Sequence, residues 1–279
     1  MNSKLFDYVE RHNFIYDLSG ATKLLAFLLM NFAVMYSYDI RFVAVVFIVA
    51  IVCFKLSEIK FSQIKLMMVY VSIFLVLNFI LTFIFNPQYG TEIYGTKHVL
   101  YTITDRYTIT SEQLLYQCTK LMKYLAAVPF CIIFILATHP SEMAASISSV
   151  GISYKAAYAL ALTLRYFPDV IRDYDDISLA QQARGLNMSK RESLSKRVVN
   201  IFNICVPLIF STLDRVELIS NTMDLRGFGT AKKRTWYSQK KMKRNDFFSI
   251  ALCICFCIAS VLISVLINGS RFYNPFITR

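Results

Sequence analysis

Ala180-Gln181-Gln182-Ala183-Arg184-Gly185 and Met223-Asp224-Leu225-Arg226-Gly227-Phe228-Gly229 close two amphipathic stretches in the same way. Each ends in a small or apolar residue, then Arg, then Gly, and the two arginines are 42 residues apart. Such an ending reads as a helix C-terminus, because glycine adopts the left-handed cap and a cation in the last turn favours the helix dipole by about 0.3 to 1 kcal/mol. One copy would be ordinary helix punctuation. Two copies on matching arms describe a repeated polar tip, the shape of a two-site plug for a two-lobed partner.

The residues before each tip have helical spacing. From Asp169 to Arg184, Val170, Ile171, Tyr174 and Ile177 fall on one stripe, with Arg172, Asp173, Asp175 and Asp176 on the rest. After Pro207, Ile209, Leu213, Val216, Ile219 and Met223 make a second stripe, with Asp214, Glu217 and Asp224 elsewhere. Arg165-Tyr166-Phe167-Pro168 precedes the first arm, and Pro168 is expected to break or kink its helix by removing a backbone donor. Between the arms, Asn187-Met188 turns the chain, and Ser189 with Glu192 offers a capping box for a return helix carrying Val198 to Val206. Arg165, Pro168 and Pro207 are therefore the expected hinge positions. Upstream, Pro140 starts a short helix that Gly151 stops, and Ser153 caps the next one.

Outside this stretch the chain is apolar. Of 279 residues, 56% are hydrophobic and only 17% charged, beyond what a soluble domain usually carries. The formal charge of +12 does not imply nucleic acid, since the basic residues flank apolar runs as the positive-inside rule requires. A hydrocarbon core about 30 Å thick needs roughly 20 helical residues. Candidate spans are Lys23 to Tyr36, Ile40 to Phe54, Leu66 to Phe85, Leu121 to Ala137 and Phe247 to Ile267. The first two are short and parted only by Ser37-Tyr38-Asp39.

Orientation follows from charge. Between His139 and Asp246 there are 17 basic against 10 acidic residues, which places that segment in the cytoplasm. The link Lys55 to Lys65 carries three Lys and one Glu and also faces inward, whereas the loop from Asn86 to Lys120 is balanced and faces outward. The N-terminus is thus expected inside and the C-terminus outside. The first 22 residues show no short apolar stretch with a cleavage site, so no removable signal peptide is expected. In the outer loop, His98 to Thr104 and Tyr107 to Thr110 suggest a small hairpin around Asp105-Arg106, and Thr110 with Gln113 a capping box for the next helix. Lys232 to Arg234 and Lys240 to Arg244, with Trp236 and Tyr237 between, have the composition of an interfacial belt on the lipid bilayer.

Thr138-His139-Pro140-Ser141-Glu142, Arg165-Tyr166-Phe167-Pro168 and the two Arg-Gly endings together resemble the transmembrane T component of energy-coupling factor transporters. These are importers of vitamins and metal ions powered by ATP-binding cassettes. The likeness runs from about Thr138 to Asp246, and more weakly to Leu18-Ser19-Gly20-Ala21-Thr22-Lys23. It implies an all-α integral membrane protein of the cell membrane, with about five transmembrane helices and two long amphipathic cytoplasmic coupling helices. Residues 1–137 would form an N-terminal membrane region, 138–246 the coupling region, and 247–279 the last span and tail. It further implies that Ala183, Arg184 and Gly185, and Leu225, Arg226 and Gly227, enter grooves on two cytoplasmic ATPase subunits, while a membrane S component binds the substrate. The second tip departs from the family's usual Ala-Arg-Gly by having Leu225.

Other chemistry is thinly represented. No glycine-rich phosphate loop occurs, His12, His98 and His139 are isolated, and no Ser or Cys sits in a nucleophile-elbow setting, so a non-catalytic subunit without cofactor or metal is expected. Cys253, Cys255 and Cys257 alternate within an apolar run and read as small buried hydrophobes. The alternative is an intramembrane Mg-dependent prenyltransferase, with Asp169, Asp173 and Asp176 at i, i+4 and i+7 holding magnesium and a diphosphate. That chemistry normally uses a second acidic cluster, for which Asp214 and Glu217 are a poor substitute. A non-transport membrane adaptor is the other alternative, and co-purifying ATPases would exclude it.

Overall fold

The computed structural model describes residues 13–102, 107–186, 193–230, 235–236, 240 and 242–275. Ten α-helices and one two-stranded antiparallel sheet occur among them. In chain order these are α1 (Phe14–Asp17), α2 (Gly20–Tyr36), α3 (Ile40–Leu56), α4 (Phe61–Phe85), α5 (Tyr89–Tyr94), β1 (Val99–Thr102), β2 (Thr108–Thr110), α6 (Ser111–Ala137), α7 (Pro140–Ser149), α8 (Tyr154–Ala183), α9 (Leu194–Leu225) and α10 (Arg244–Leu262). A π-helical turn, Ile263–Ile267, prolongs α10.

All five expected apolar runs are helices. Of these, α4, α6 and α10 with its π turn are long and apolar enough to cross a membrane, and α2 is a shorter apolar helix. At about 1.5 Å per residue, the 17 residues of α2 or α3 reach only about 26 Å. Ser195–Leu225 of α9 also meets the length and composition of a span. The protein is a multi-pass, all-α membrane protein.

The chain forms two compact units: one from the residues up to Ser146 and from Gln239 onward, the other from Ile147–Ser238. In the first unit, α2, α3, α6 and α10 share a core of Met30, Ala33, Val34, Phe42, Val46, Ala50, Ala126, Phe130 and Cys253. Ala33, Ala50 and Ala126 are fully buried, and such small side chains let membrane helices approach closely. That proximity permits interhelical hydrogen bonds: Ser260 Oγ donates to the Ala33 carbonyl at 2.9 Å and Cys257 Sγ to the Leu29 carbonyl at 3.0 Å. The three-cysteine reading is corrected in part. Cys253 is buried, but Cys255 is exposed and Cys257 is a hydrogen-bond donor.

Two buried lysines tie the bundle together. Lys23 of α2 donates to the Ala137 carbonyl at the end of α6 (2.8 Å) and to the Tyr16 carbonyl (3.0 Å), while Lys123 of α6 donates to the Met35 carbonyl at the end of α2 (2.8 Å). Each satisfies helix-end acceptors that would otherwise lie orphaned in an apolar setting.

At the other end of α2, residues 268–275 strap the short segments. The Tyr38 N–H donates to the Arg271 carbonyl (2.9 Å), Asn268 Nδ2 to Asp39 (3.1 Å) and Asn274 Nδ2 to the Tyr94 carbonyl (2.8 Å), and Arg41 pairs with the Tyr273 hydroxyl. Thr110 caps α6 by accepting the Gln113 N–H at 3.3 Å, but the reciprocal half of the expected box is absent. The Gln113 side chain instead accepts the Gly90 N–H at 2.7 Å, so a tertiary partner replaces the local one.

In the second unit the long helices run through their prolines rather than breaking there. Pro168 and Pro207 lie inside α8 and α9, of 30 and 32 residues, and neither helix stops at its proline. Each proline removes one intrahelical hydrogen bond, and the turns on both sides continue the helix. The return helix and the second arm are therefore one element. Ser153 stands at the N-cap of α8 without making a side-chain cap bond. Asp105-Arg106, Asn187-Met188, the Ser189–Glu192 box and Lys232 to Arg234 lie outside the described residues.

Candidate functional site

Helices α8 and α9 pack antiparallel. Near one end of the pair the Phe228 ring lies 4.8 Å from Tyr158 and 5.8 Å from Tyr154, and further along Arg215 Nη2 donates to Asp173 Oδ2 at 2.6 Å. The start of α8 therefore meets the end of α9. Along α9 the sheltered stripe is Ile204, Leu208, Thr212, Arg215, Ile219 and Met223. The expected stripe was rotated by one residue in its first half: Ile209, Leu213 and Val216 are exposed, and the charged Arg215 takes the inward place because Asp173 meets it there.

Antiparallel packing sets the two Arg-Gly endings at opposite ends of the pair. At about 1.5 Å rise per residue, a 30-residue helix separates them by roughly 45 Å.

Their backbones are nearly identical. At the first, Arg184 is the C-cap (φ −81°, ψ 7°), the Gly185 N–H donates to the Gln182 carbonyl at 3.0 Å and the Leu186 N–H to the Gln181 carbonyl at 3.1 Å. At the second, Arg226 is the C-cap (φ −86°, ψ 9°), the Gly227 N–H donates to Asp224 at 2.9 Å and the Phe228 N–H to Met223 at 3.0 Å. This is the doubled reversal bond of a Schellman motif, made twice. Gly185 and Gly227 have φ of 91° and 64°, left-handed values that a side chain would strain.

The tips present their side chains outward. Ala183, Arg184, Gly185, Leu225 and Arg226 are all exposed, and Leu225 is 88% exposed. A solvated apolar side chain next to an arginine suits contact with a partner surface: the guanidinium can grip a carboxylate with two parallel hydrogen bonds while the leucine adds apolar area. Of the expected hinge residues, Arg165 is exposed beside the Tyr166 ring, and both prolines lie mid-helix. The carboxylates of the enzyme alternative are engaged otherwise. Asp173 holds Arg215 and Asp169 lies 3.6 Å from Arg172; among the described residues no three His, Cys, Asp or Glu side chains gather as a metal site.

Reading the sequence missed a buried charge cluster in the first unit. Glu142, Asp246 and Lys23, all under 5% exposed, surround the start of α2. The signal available in the sequence is Glu142 close behind Pro140, together with the Ser19-Gly20 pair.

Apolar helices long enough to cross a membrane, together with a helix pair bearing two matched arginine tips, define the class as a multi-pass all-α membrane protein. Residues 11–237 match the cobalt transport protein (CbiQ) family, and the chain belongs to that family. It is 30% identical over 101 residues to the energy-coupling factor transporter transmembrane protein EcfT of Staphylococcus aureus, and 33% identical over 107 residues to that of Bacillus selenitireducens. These stretches cover 36% and 38% of this chain, and only 37% and 40% of the relatives. The EcfT protein of Streptococcus equi subsp. equi is 23% identical over 270 residues, covering 91% of this chain and 95% of its own length.

Proposed function

We propose that this chain is the T component of an energy-coupling factor importer. It passes the ATP-driven closure of two cytoplasmic ATPases to a membrane S component that carries a vitamin or metal ion. The observation that carries the reading is the pair of matched Schellman tips at opposite ends of one antiparallel helix pair. Two similar ATPase grooves call for two similar keys, and keys about 45 Å apart reach two separate subunits rather than one. Arg184 and Arg226 are the gripping groups, Gly185 and Gly227 let the chain reverse close to the groove wall, and Leu225 adds apolar contact. Closure of the ATPases would move each tip with its groove and shift the helix pair that joins them. The excess of basic residues between His139 and Asp246 supports a cytoplasmic position for the pair.

Co-purification tests this. The wild-type protein should bring down two ATPase chains and a small membrane protein. Arg184→Glu and Arg226→Glu should each weaken ATPase association, and the double variant should abolish it. Normal complex formation by the double variant would refute the assignment.

A further inference from the structure

The polypeptide passes between its two units twice, at Ser146–Ile147 and at Ser238–Gln239. Within the first unit, Glu142 and Lys240, each a few residues from one of these boundaries, both contact the end of α1 or the start of α2. On the outgoing passage, Glu142 of α7 lies one helical turn before the crossing, and its Oε1 accepts the Gly20 N–H at 2.8 Å. The fit is tight. A Cβ at Gly20 would stand 2.4 Å from Ser146 Oγ and 2.7 Å from Glu142 Cγ.

On the return passage, Lys240 lies two residues after the crossing. Its ammonium donates to the Tyr16 carbonyl at 3.1 Å and sits 3.9 Å from Glu142 Oε2. Next along the chain, Asp246 Oδ1 accepts the Ser19 N–H at 2.8 Å while its Oδ2 accepts the Lys243 N–H at 2.7 Å. Lys23 completes the cluster through the Tyr16 and Ala137 carbonyls. Two carboxylates thus fill the first N–H positions of α2, where the helix dipole favours negative charge, and two ammoniums hold the carbonyl just before it.

We infer that Glu142 is a positioning residue of the transport cycle: its hydrogen bond from the Gly20 N–H delivers movement of the Ile147–Ser238 unit to the start of α2. The inference rests on the T-component reading. A surface ion pair would yield under load. Glu142 is 4% exposed and its bond is charge-assisted, so the start of α2 follows α7 rather than slipping past it. Lys240, half exposed, is the weaker second anchor.

The test uses the full complex, purified through a tag on an ATPase chain and compared without nucleotide and with ATP plus vanadate. The readout is amide hydrogen exchange in the segment Tyr16–Leu24, which reports local opening at the N–H groups in question. Wild type should show a nucleotide-dependent change there. Glu142→Ala should co-purify with the ATPases and hydrolyse ATP but lose that change, and Glu142→Gln, which keeps a carbonyl acceptor for Gly20, should retain it. A merely structural role would not separate these two variants by nucleotide state. Should Glu142→Ala fail to insert, Lys240→Met reads the same linkage and should show a reduced change; a full wild-type change in Lys240→Met then overturns the inference. A nucleotide response in Glu142→Ala, no response in wild type, or no rescue by Gln also overturns it. If no ATPase accompanies the wild-type protein, the proposed function fails and this inference with it.

Discussion

Lys23 and Lys123 stand at opposite ends of the α2–α6 pair, and each donates at 2.8 Å to a carbonyl in the last turn of the helix that carries the other. The exchange is reciprocal: α2 supplies the cation that closes α6, and α6 the cation that closes α2. Both side chains are less than 5% exposed. Replacing Lys123 by Met keeps most of the volume but orphans the Met35 carbonyl, which should lower stability by about 1 to 3 kcal/mol. Lys23→Met should do the same for Ala137. The sites lie at opposite ends of a helix pair, so thermal unfolding of the double variant in detergent should show additive losses.

The glycines behind the arginines make a separate prediction. Gly185 has open space around its missing Cβ, so Gly185→Ala introduces strain at positive φ rather than a clash, costing about 1 to 2 kcal/mol locally. The last turn should fray and the arginine lose its fixed aim. ATPase pull-down should fall for Gly185→Ala and Gly227→Ala, by less than for the charge reversals. Equal recovery with wild type would mean that the cap geometry is irrelevant to binding.

Leu225 distinguishes the second tip from the first. If its exposed side chain rests against an ATPase groove, Leu225→Ala should weaken association only slightly, because it removes apolar contact but recreates the Ala-Arg-Gly of the first tip. Leu225→Asp should weaken association by placing an acid beside the arginine that must grip a carboxylate. Paired pull-downs of the two variants check this, and equal recovery of both would place Leu225 outside the contact.

Asp173 and Arg215 hold the middle of the long helix pair at 2.6 Å with side chains 24% and 31% exposed. A double-mutant cycle with alanine should give a coupling of about 0.5 to 1 kcal/mol, modest because water still reaches both groups. Its larger effect should be on register: disulfide trapping between cysteines placed at Tyr158 and Phe228 should slow in Asp173→Ala.

Much of this architecture is readable from residue order, and the exceptions have physical causes. The apolar runs become α2, α3, α4, α6 and α10 because a bilayer leaves a backbone little choice but the helix. The β1–β2 hairpin follows from alternating β-branched and aromatic residues. The inward face of α9 escaped because hydrophobicity alone assigned it, whereas Asp173 draws Arg215 into the seam and turns Ile209, Leu213 and Val216 outward. No break occurs at Pro168 or Pro207, since only one helical bond is lost at each and the turns on either side make their own. The Glu142–Asp246 cluster was out of reach, because it joins residues more than one hundred positions apart through backbone groups that carry no side-chain signature.

The matched caps make α8 and α9 a molecular ruler. Deleting one residue anywhere within either helix would turn its arginine by about 100° and draw it in by about 1.5 Å, whereas removing seven would restore the azimuth but shorten the gauge by about 10 Å. Homologous chains should therefore tolerate substitutions along these helices far more readily than insertions or deletions, and any length change in one should be answered in the other or in the machinery it spans.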